Sequence, residues 1–243
     1  MRVVVPYAAR EPKTRLADVL SPDERSAFAA AMLTDVLTAV RAAGRTPEVL
    51  ATAPVDVDAP VTVDDRPLTE AVNAVLAEAT GEQGMDEPVA IVMADLALAT
   101  PDALARLFET DGEVTIAPGR GGGTNALVVR SSEFRVDYHG TSFLDHLERA
   151  SEVGAEVEVV DSHRLATDVD ERADLAEVLI HSSSEARRAS ETRVARDGVP
   201  RTVRAGEARE QTVEPRAGES FEWLKAAGFA LSSDDSRVGV VRE

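Results

Sequence analysis

Three groups of residues in this chain are of types that handle phosphate. Asp95, Asp168 and Asp170 supply carboxylates, Lys13 and Arg15 supply cations two positions apart in one polar loop, and Thr124 and Asn125 follow the run Gly121-Gly122-Gly123. Carboxylates gathered without matching bases repel one another, so a divalent cation is the expected reason to gather them. The chain has no cysteine, so a metal here must be held by oxygen or imidazole, and oxygen ligands favour magnesium or calcium. Magnesium keeps water and substrate phosphate in its shell, which suits three carboxylates facing a phosphorylated ligand. A lysine point charge and an arginine fork are the natural complement for phosphate oxygens. Adjacent glycines give up backbone entropy in return for positive φ and close approach to a ligand, and Thr124 and Asn125 place a hydroxyl and an amide beside that approach. Each group also has a plainer reading. Lys13 and Arg15 are then solvated loop bases, Asp168 or Asp170 caps the helix beginning near Ala173, and the glycines make a hairpin. His139 and His146 are candidate ligands or bases, with helix packing the commoner role for such histidines. No Ser-His-Asp spacing and no GxxxxGK[ST] is present, which leaves hydrolase and P-loop readings without support.

The elements that must position these residues alternate between strand and helix. Residues 2–7 (RVVVPY) read as a buried strand, and Ala8 to Leu16 as a polar loop. Ser21-Pro22-Asp23-Glu24 carries a serine N-cap, a proline at the first helical position and a capping-box glutamate, opening a helix that stops near Gly44. Further strands are expected at 47–52, 61–63, 89–93 and 156–160, with strands also on both sides of the glycine run. Helices are expected at 68–79, from Thr100-Pro101-Asp102 to Phe108, from Ser142 to Ala150, and at 173–180. This alternation predicts an α/β sandwich with a mostly parallel sheet. Ligands bind outside the carboxyl ends of such strands. Three candidate segments fall there: Ala8 to Leu16, Asp95 to Leu98, and the glycine loop; Asp168 and Asp170, as i and i+2 leaving a strand, are expected to point to the same side.

The formal net charge of −18 argues against nucleic-acid binding, which needs a basic surface. Lysine occurs only at Lys13 and Lys225. A dense carboxylate surface poor in lysine resembles proteins kept in molar salt, where the Debye length falls to about 3 Å and self-repulsion is screened. Against that background, a lysine in the first loop stands out. No run is long enough to span a bilayer and no signal-peptide pattern is present, so a cytoplasmic protein without membrane contact is expected. Beyond Ser182 the sequence turns to Arg, Glu, Ser and Gly without periodicity. That division predicts a domain over 1–181 and a tail over 182–243, disordered except for one short helix near 221–231.

Taken in order, PKTRLA after the first strand, DLALATP after a central strand, GGGTNAL, the segment Tyr138-x-Gly140-x-Ser142-Phe143-x-x-His146 and DVDERADL resemble the 2-phospho-L-lactate guanylyltransferases of coenzyme F-420 biosynthesis. That family lies within the nucleotidyltransferases similar to molybdenum-cofactor guanylyltransferases and sugar-nucleotide enzymes. The resemblance covers about residues 1–181. It implies a Rossmann-like three-layer sandwich of the nucleotide-diphospho-sugar transferase type. It also implies transfer of a guanylyl group from GTP to a small phosphorylated carboxylic acid, 2-phospho-L-lactate or phosphoenolpyruvate. By the same resemblance, Asp95, Asp168 and Asp170 hold magnesium and Lys13 and Arg15 engage the triphosphate. Thr124, Asn125 and Ser142, with the backbone near Gly140, take the acceptor. Two other readings remain open: a related nucleotidyltransferase acting on a molybdopterin or a sugar phosphate, and an inactive nucleotide-binding regulatory module. A homodimer is compatible with any of them.

Overall fold

In the computed structural model, residues 1–81, 84–182, 217–234 and 237–242 are described. The valines of β1 (Arg2–Tyr7) face alternately two different helix layers, as successive strand side chains must. Val3 and Val5 lie in one core cluster and Val4 in the other, all with at most 1% of their surface exposed. The rest of the sheet repeats this two-sided burial. In chain order follow α1 (Pro22–Ala42), β2 (Pro47–Ala51), β3 (Val61–Val63), α2 (Leu68–Glu78), the paired two-residue strands β4 (Thr80–Gly81) and β5 (Gly84–Met85), and β6 (Val89–Val92). Next come α3 (Pro101–Glu109), β7 (Val114–Pro118), β8 (Thr124–Val129), α4 (Ser142–Glu152), β9 (Val157–Val159), α5 (His163–Ala166) and a helix, α6, over 172–182 of the described residues.

Seven strands form one sheet in the order β3-β2-β1-β6-β8-β7-β9. All neighbours pair in parallel except those of β8, which runs antiparallel to both β6 and β7. Helices α1, α3 and α5 cover one face, and α2 and α4 the other. This is the three-layer sandwich expected, and its carboxyl edge gathers the chain after β1, after β6 and around the β7–β8 turn. No helix among the described residues is long and apolar enough to cross a membrane.

A third apolar cluster lies toward that edge. It joins Leu16, Phe28, Met32, Leu98 and Val169 to α6, to α7 (Glu219–Ala226) and to the hairpin β10 (Phe229–Asp234) with β11 (Arg237–Arg242). Trp223 packs on Phe28 with ring centroids 5.2 Å apart, and the Asp35 carboxylate accepts bonds from the Glu219 and Ser220 amides at the start of α7. The helix expected near 221–231 therefore runs over Glu219–Ala226 instead. Gly228, at φ 82°, turns the chain out of it, and Phe229 onward pairs as a strand. The period-two signal in RVGVVR was too short to register beside the charged run preceding it. The stretch 183–216, where disorder was expected, lies outside the described residues.

Candidate active site

β1 and β6 are adjacent and parallel, so the loops leaving their carboxyl ends meet. The Lys13 ammonium, on a side chain only 10% exposed, donates to Asp95 Oδ2 at 2.7 Å and to Asp170 Oδ1 at 2.6 Å. Its backbone is left-handed, at φ 54° and ψ 43°. That conformation is costly for a residue with a Cβ, and such outliers gather where the surroundings over-determine them. Here the two carboxylates do so. Burial works against the charge on Lys13, but Asp95 and Asp170 outweigh it and hold the ammonium above its usual pKa. Burial pushes Asp95 above the usual carboxylate range; Lys13 opposes this, and the nearby charges of Asp170 and Asp168 add to it. Arg15 reaches Asp170 Oδ2 at 3.3 Å from a largely exposed position.

Contrary to the expectation, Asp168 and Asp170 do not leave a strand directly, because the four-residue helix α5 intervenes after β9. Their segment is tied at both flanks. The Asn125 amide donates to the Leu165 carbonyl at 2.9 Å and to Asp168 Oδ1 at 3.1 Å, and the Val169 amide donates to the Asp95 carbonyl at 3.2 Å. Neither aspartate is occupied in capping the next helix. Asp174 turns back to accept from the Asp170 and Glu171 amides at 3.0 and 2.8 Å, which leaves Asp170 for the two bases and Asp168 for Asn125.

Lys13, Asp95 and Asp170 line a cavity of about 330 Å³ at the carboxyl ends of β1 and β2, closed by the chain just past β3 and β6. Its far side includes Tyr7, Thr52, Asp64 and Arg66, with Arg66 forked onto the Asp64 carboxylate. Asp64 and Arg66 were missed in the sequence. The available signal was their position just past β3, at the same sheet edge as the other site residues.

The glycine loop lies apart from this cavity. It is a hairpin turn, with the Gly119 amide donating to the Gly123 carbonyl at 2.8 Å and Gly122 at φ 84°. A Cβ on Gly119 would stand 2.6 Å from Asn125 Oδ1, so glycine there lets Asn125 lie against the turn. Ser142 does not cap α4: Thr141 is the N-cap residue, and Ser142 Oγ instead accepts from the Thr124 amide at 2.9 Å. Thr124 Oγ1 lies 2.8 Å from His146 Nδ1, and the Asp137 amide donates to His146 Nε2 at 2.9 Å. With Nε2 accepting, the neutral ring carries its proton on Nδ1 and donates to Thr124. Thr124 and Ser142 thus each accept one bond and keep a hydroxyl hydrogen to give. Gly140, at φ 31°, sits in the turn leading to Ser142. His139 pairs at the surface with the Asp137 side chain and does not itself bond to Thr124, Ser142 or His146.

Burial lowers His146 from 6.5 to about 4. Below the unfolded pKa the unfolded chain takes up a proton that the folded chain refuses, so the associated stability is complete above pH 6.5. It declines as the pH falls toward 4. The span corresponds to about 3 kcal/mol. Denaturant titrations from pH 7 to 4 should show this decline flattened in His146→Gln relative to the parent; an unchanged slope would assign it to other groups.

Asp95 and Asp170 offer oxygen donors of the kind magnesium takes. Asp95 Oδ1 is buried without a hydrogen-bond partner, and the Lys13 ammonium sits as a cation between the Asp95 and Asp170 carboxylates, while Asp168, bonded to Asn125, does not join them in a group of ligand atoms within 4.8 Å of one another. An oxygen-only donor set of this kind suits magnesium over softer metals.

The profile of the guanylyl transferase CofC-like family matches residues 1–197. A 2-phospho-L-lactate guanylyltransferase of Halomicrobium mukohataei is 60% identical, and one of Halorubrum lacusprofundi 53% identical, each over the whole of both chains. A Desulfovibrio desulfuricans structure assigned to the nucleotide-diphospho-sugar transferases superposes with a TM-score of 0.60 at 18% identity. That superposition covers 81% of this chain and 95% of the other, a likeness that speaks to the fold.

Proposed function

The chain belongs to the CofC-like guanylyl transferase family, and on that premise we propose that it joins GTP to 2-phospho-L-lactate with release of pyrophosphate. A phosphate oxygen of the acceptor forms a bond to the α-phosphorus of GTP, and the bond from that phosphorus to the oxygen bridging to the β-phosphate breaks. Pyrophosphate leaves with the bonding pair. The attacking phosphate is already anionic, so no general base is required, and the protein's task is to position the partners and neutralise charge.

The observation that carries this reading is the pairing of Lys13 with Asp95 and Asp170 at the mouth of a cavity. In this reading the cavity takes the nucleotide, while Lys13 and Arg15 turn toward the triphosphate as it enters. Asp95, Asp168 and Asp170 would hold magnesium, which, when bound, neutralises the developing charge on the phosphates. The acceptor lies on the far side of the aspartates. There the hydroxyl hydrogens of Thr124 and Ser142, with the backbone near Gly140, would meet its carboxylate, and Asn125 keeps Asp168 in line. His146 is a positioning residue that orients Thr124. The reaction belongs in the cytoplasm, and the acidic surface is read as adaptation to molar salt.

Incubating the protein with GTP, magnesium and one acceptor at a time in molar KCl tests this. 2-Phospho-L-lactate should give a diphosphate-linked guanosine product. Phosphoenolpyruvate offers the same carboxylate and phosphate and belongs in the same comparison; a sugar phosphate, lacking the carboxylate, should not turn over. A preference for the sugar phosphate would refute the acceptor assignment. Thr124→Ala removes one bond to a charged group, a loss of about tenfold or more. It should therefore raise the KM for the acceptor by at least that factor and the KM for GTP by much less. The opposite split would return the glycine loop to the nucleotide.

A further inference from the structure

Outside the cavity, one side-chain cluster has no part in the reaction described. His163 lies at the start of α5, and Glu177 and His181 lie one turn apart on α6. The two Nε2 atoms are 3.0 Å apart, and Glu177 Oε2 lies 3.2 Å from His181 Nε2 and 3.8 Å from His163 Nε2. Among the described residues these three form a group whose ligand atoms all lie within 4.8 Å of one another. Two imidazole nitrogens facing each other at this distance can share a proton only one at a time. A metal satisfies both lone pairs together.

The spacing points to a particular class of ion. With zinc–nitrogen and zinc–oxygen bonds of about 2.0–2.2 Å, the edge of a tetrahedral site is about 3.3 Å. The three observed separations bracket that value. Two histidines and a glutamate are borderline ligands that suit zinc over magnesium or calcium. The partly exposed side chains leave a fourth position open to solvent.

We propose that His163, Glu177 and His181 form a zinc-class metal site separate from the aspartates at the sheet edge. Its consequence follows from where the ligands sit. α5 and α6 flank the segment 167–171, which carries Asp168 and Asp170, so one ion clamps both ends of that segment. α5 is also bonded to the glycine loop, through the Arg120 amide to the Ala166 carbonyl at 3.0 Å and through Asn125 to the Leu165 carbonyl. The clamp therefore braces the support of the acidic residues without touching them. The inference does not depend on which substrate the chain uses.

The test uses the full chain in molar KCl with magnesium in excess, so that oxygen sites are filled. Zinc, or cobalt as a spectroscopic substitute, is titrated by equilibrium dialysis into the parent and into His163→Ala, His181→Ala and Glu177→Gln. One ion per chain is expected in the parent, with at least tenfold weaker binding in each variant. Cobalt should show the intense visible absorption of a low-coordinate nitrogen-ligated site. Amide hydrogen exchange over 167–171 should slow when zinc is added to the parent and stay unchanged in His163→Ala, a half-exposed position whose loss leaves the core intact. Saturable binding that is equal in parent and variants, or no saturable binding in the magnesium-filled parent, would overturn the site. Unchanged exchange over 167–171 in the zinc-loaded parent would overturn the clamp.

Discussion

Replacing Asp95 with asparagine is expected to lower kcat/KM by about a thousandfold or more, roughly 4 kcal/mol of transition-state stabilisation, while leaving the protein folded. The two effects separate because Asp95 carries an unfavourable burial that folding alone does not require. Its Oδ1 is buried without a hydrogen-bond partner, and burial with the neighbouring Asp168 and Asp170 charges pushes its pKa up. An amide of the same shape removes the buried charge and gives up one charged bond to Lys13, so stability should stay within about 1 kcal/mol of the parent. The buried carboxylate is then present for chemistry. Steady-state pyrophosphate release and thermal denaturation, run in the same salt, measure the two quantities. A variant with activity within tenfold of the parent would remove Asp95 from the catalytic set.

Lys13→Ala should behave differently, losing comparable activity and also stability. The ammonium is the shared counter-charge of Asp95 and Asp170, and removing one member of a buried pair leaves the other members uncompensated. Asp170 is about one third exposed, so solvent screening limits the cost to about 2 kcal/mol. Alanine also inherits the left-handed backbone without the bonds that held it. A divalent cation placed among the same carboxylates substitutes for the missing charge. Magnesium should therefore raise the Tm of Lys13→Ala more than that of the parent. An equal rise in both would separate the metal from the lysine-bound carboxylates.

Much of the fold was legible because its signals are local. The capping box of Ser21 and Glu24 with Pro22 between them marked the start of α1, and the Thr100 side-chain cap followed by Pro101 marked that of α3. Buried strands read as apolar runs, and the turn of the glycine loop joined the two strands on either side of it. The hairpin reading of the glycine run already set β8 antiparallel to β7, but the antiparallel pairing of β8 with β6 was not legible, since pairing between distant strands is a tertiary property that a strand's own residues do not encode. The helix α5 escaped notice at four residues, too short for a period to show. Consequently Asp168 and Asp170 were placed after a strand.

In the site, residue types pointed to the aspartates and to Lys13, but not to the bonds between them. Those bonds span 82 and 157 positions in sequence. Ser142 illustrates the same limit. A serine before an apolar helix is a reasonable cap by local rules, yet its hydroxyl accepts from the Thr124 amide at the start of β8, 18 positions away in sequence. Asp64 and Arg66 had only their place past β3 to announce them. The role of His146 rests on a relay through Asp137 and Thr124, which no spacing reveals.

The central claim concerns which bond of the nucleotide breaks, and labelled GTP tests it most directly. With 2-phospho-L-lactate, magnesium and molar KCl, label at the α-phosphorus should appear wholly in the guanosine–phospholactate product. Label at the β- and γ-positions should appear wholly in pyrophosphate, in equal molar yield. Release of inorganic phosphate from the γ-position alone, or an α-label that never joins the acceptor, would contradict guanylyl transfer by this chain.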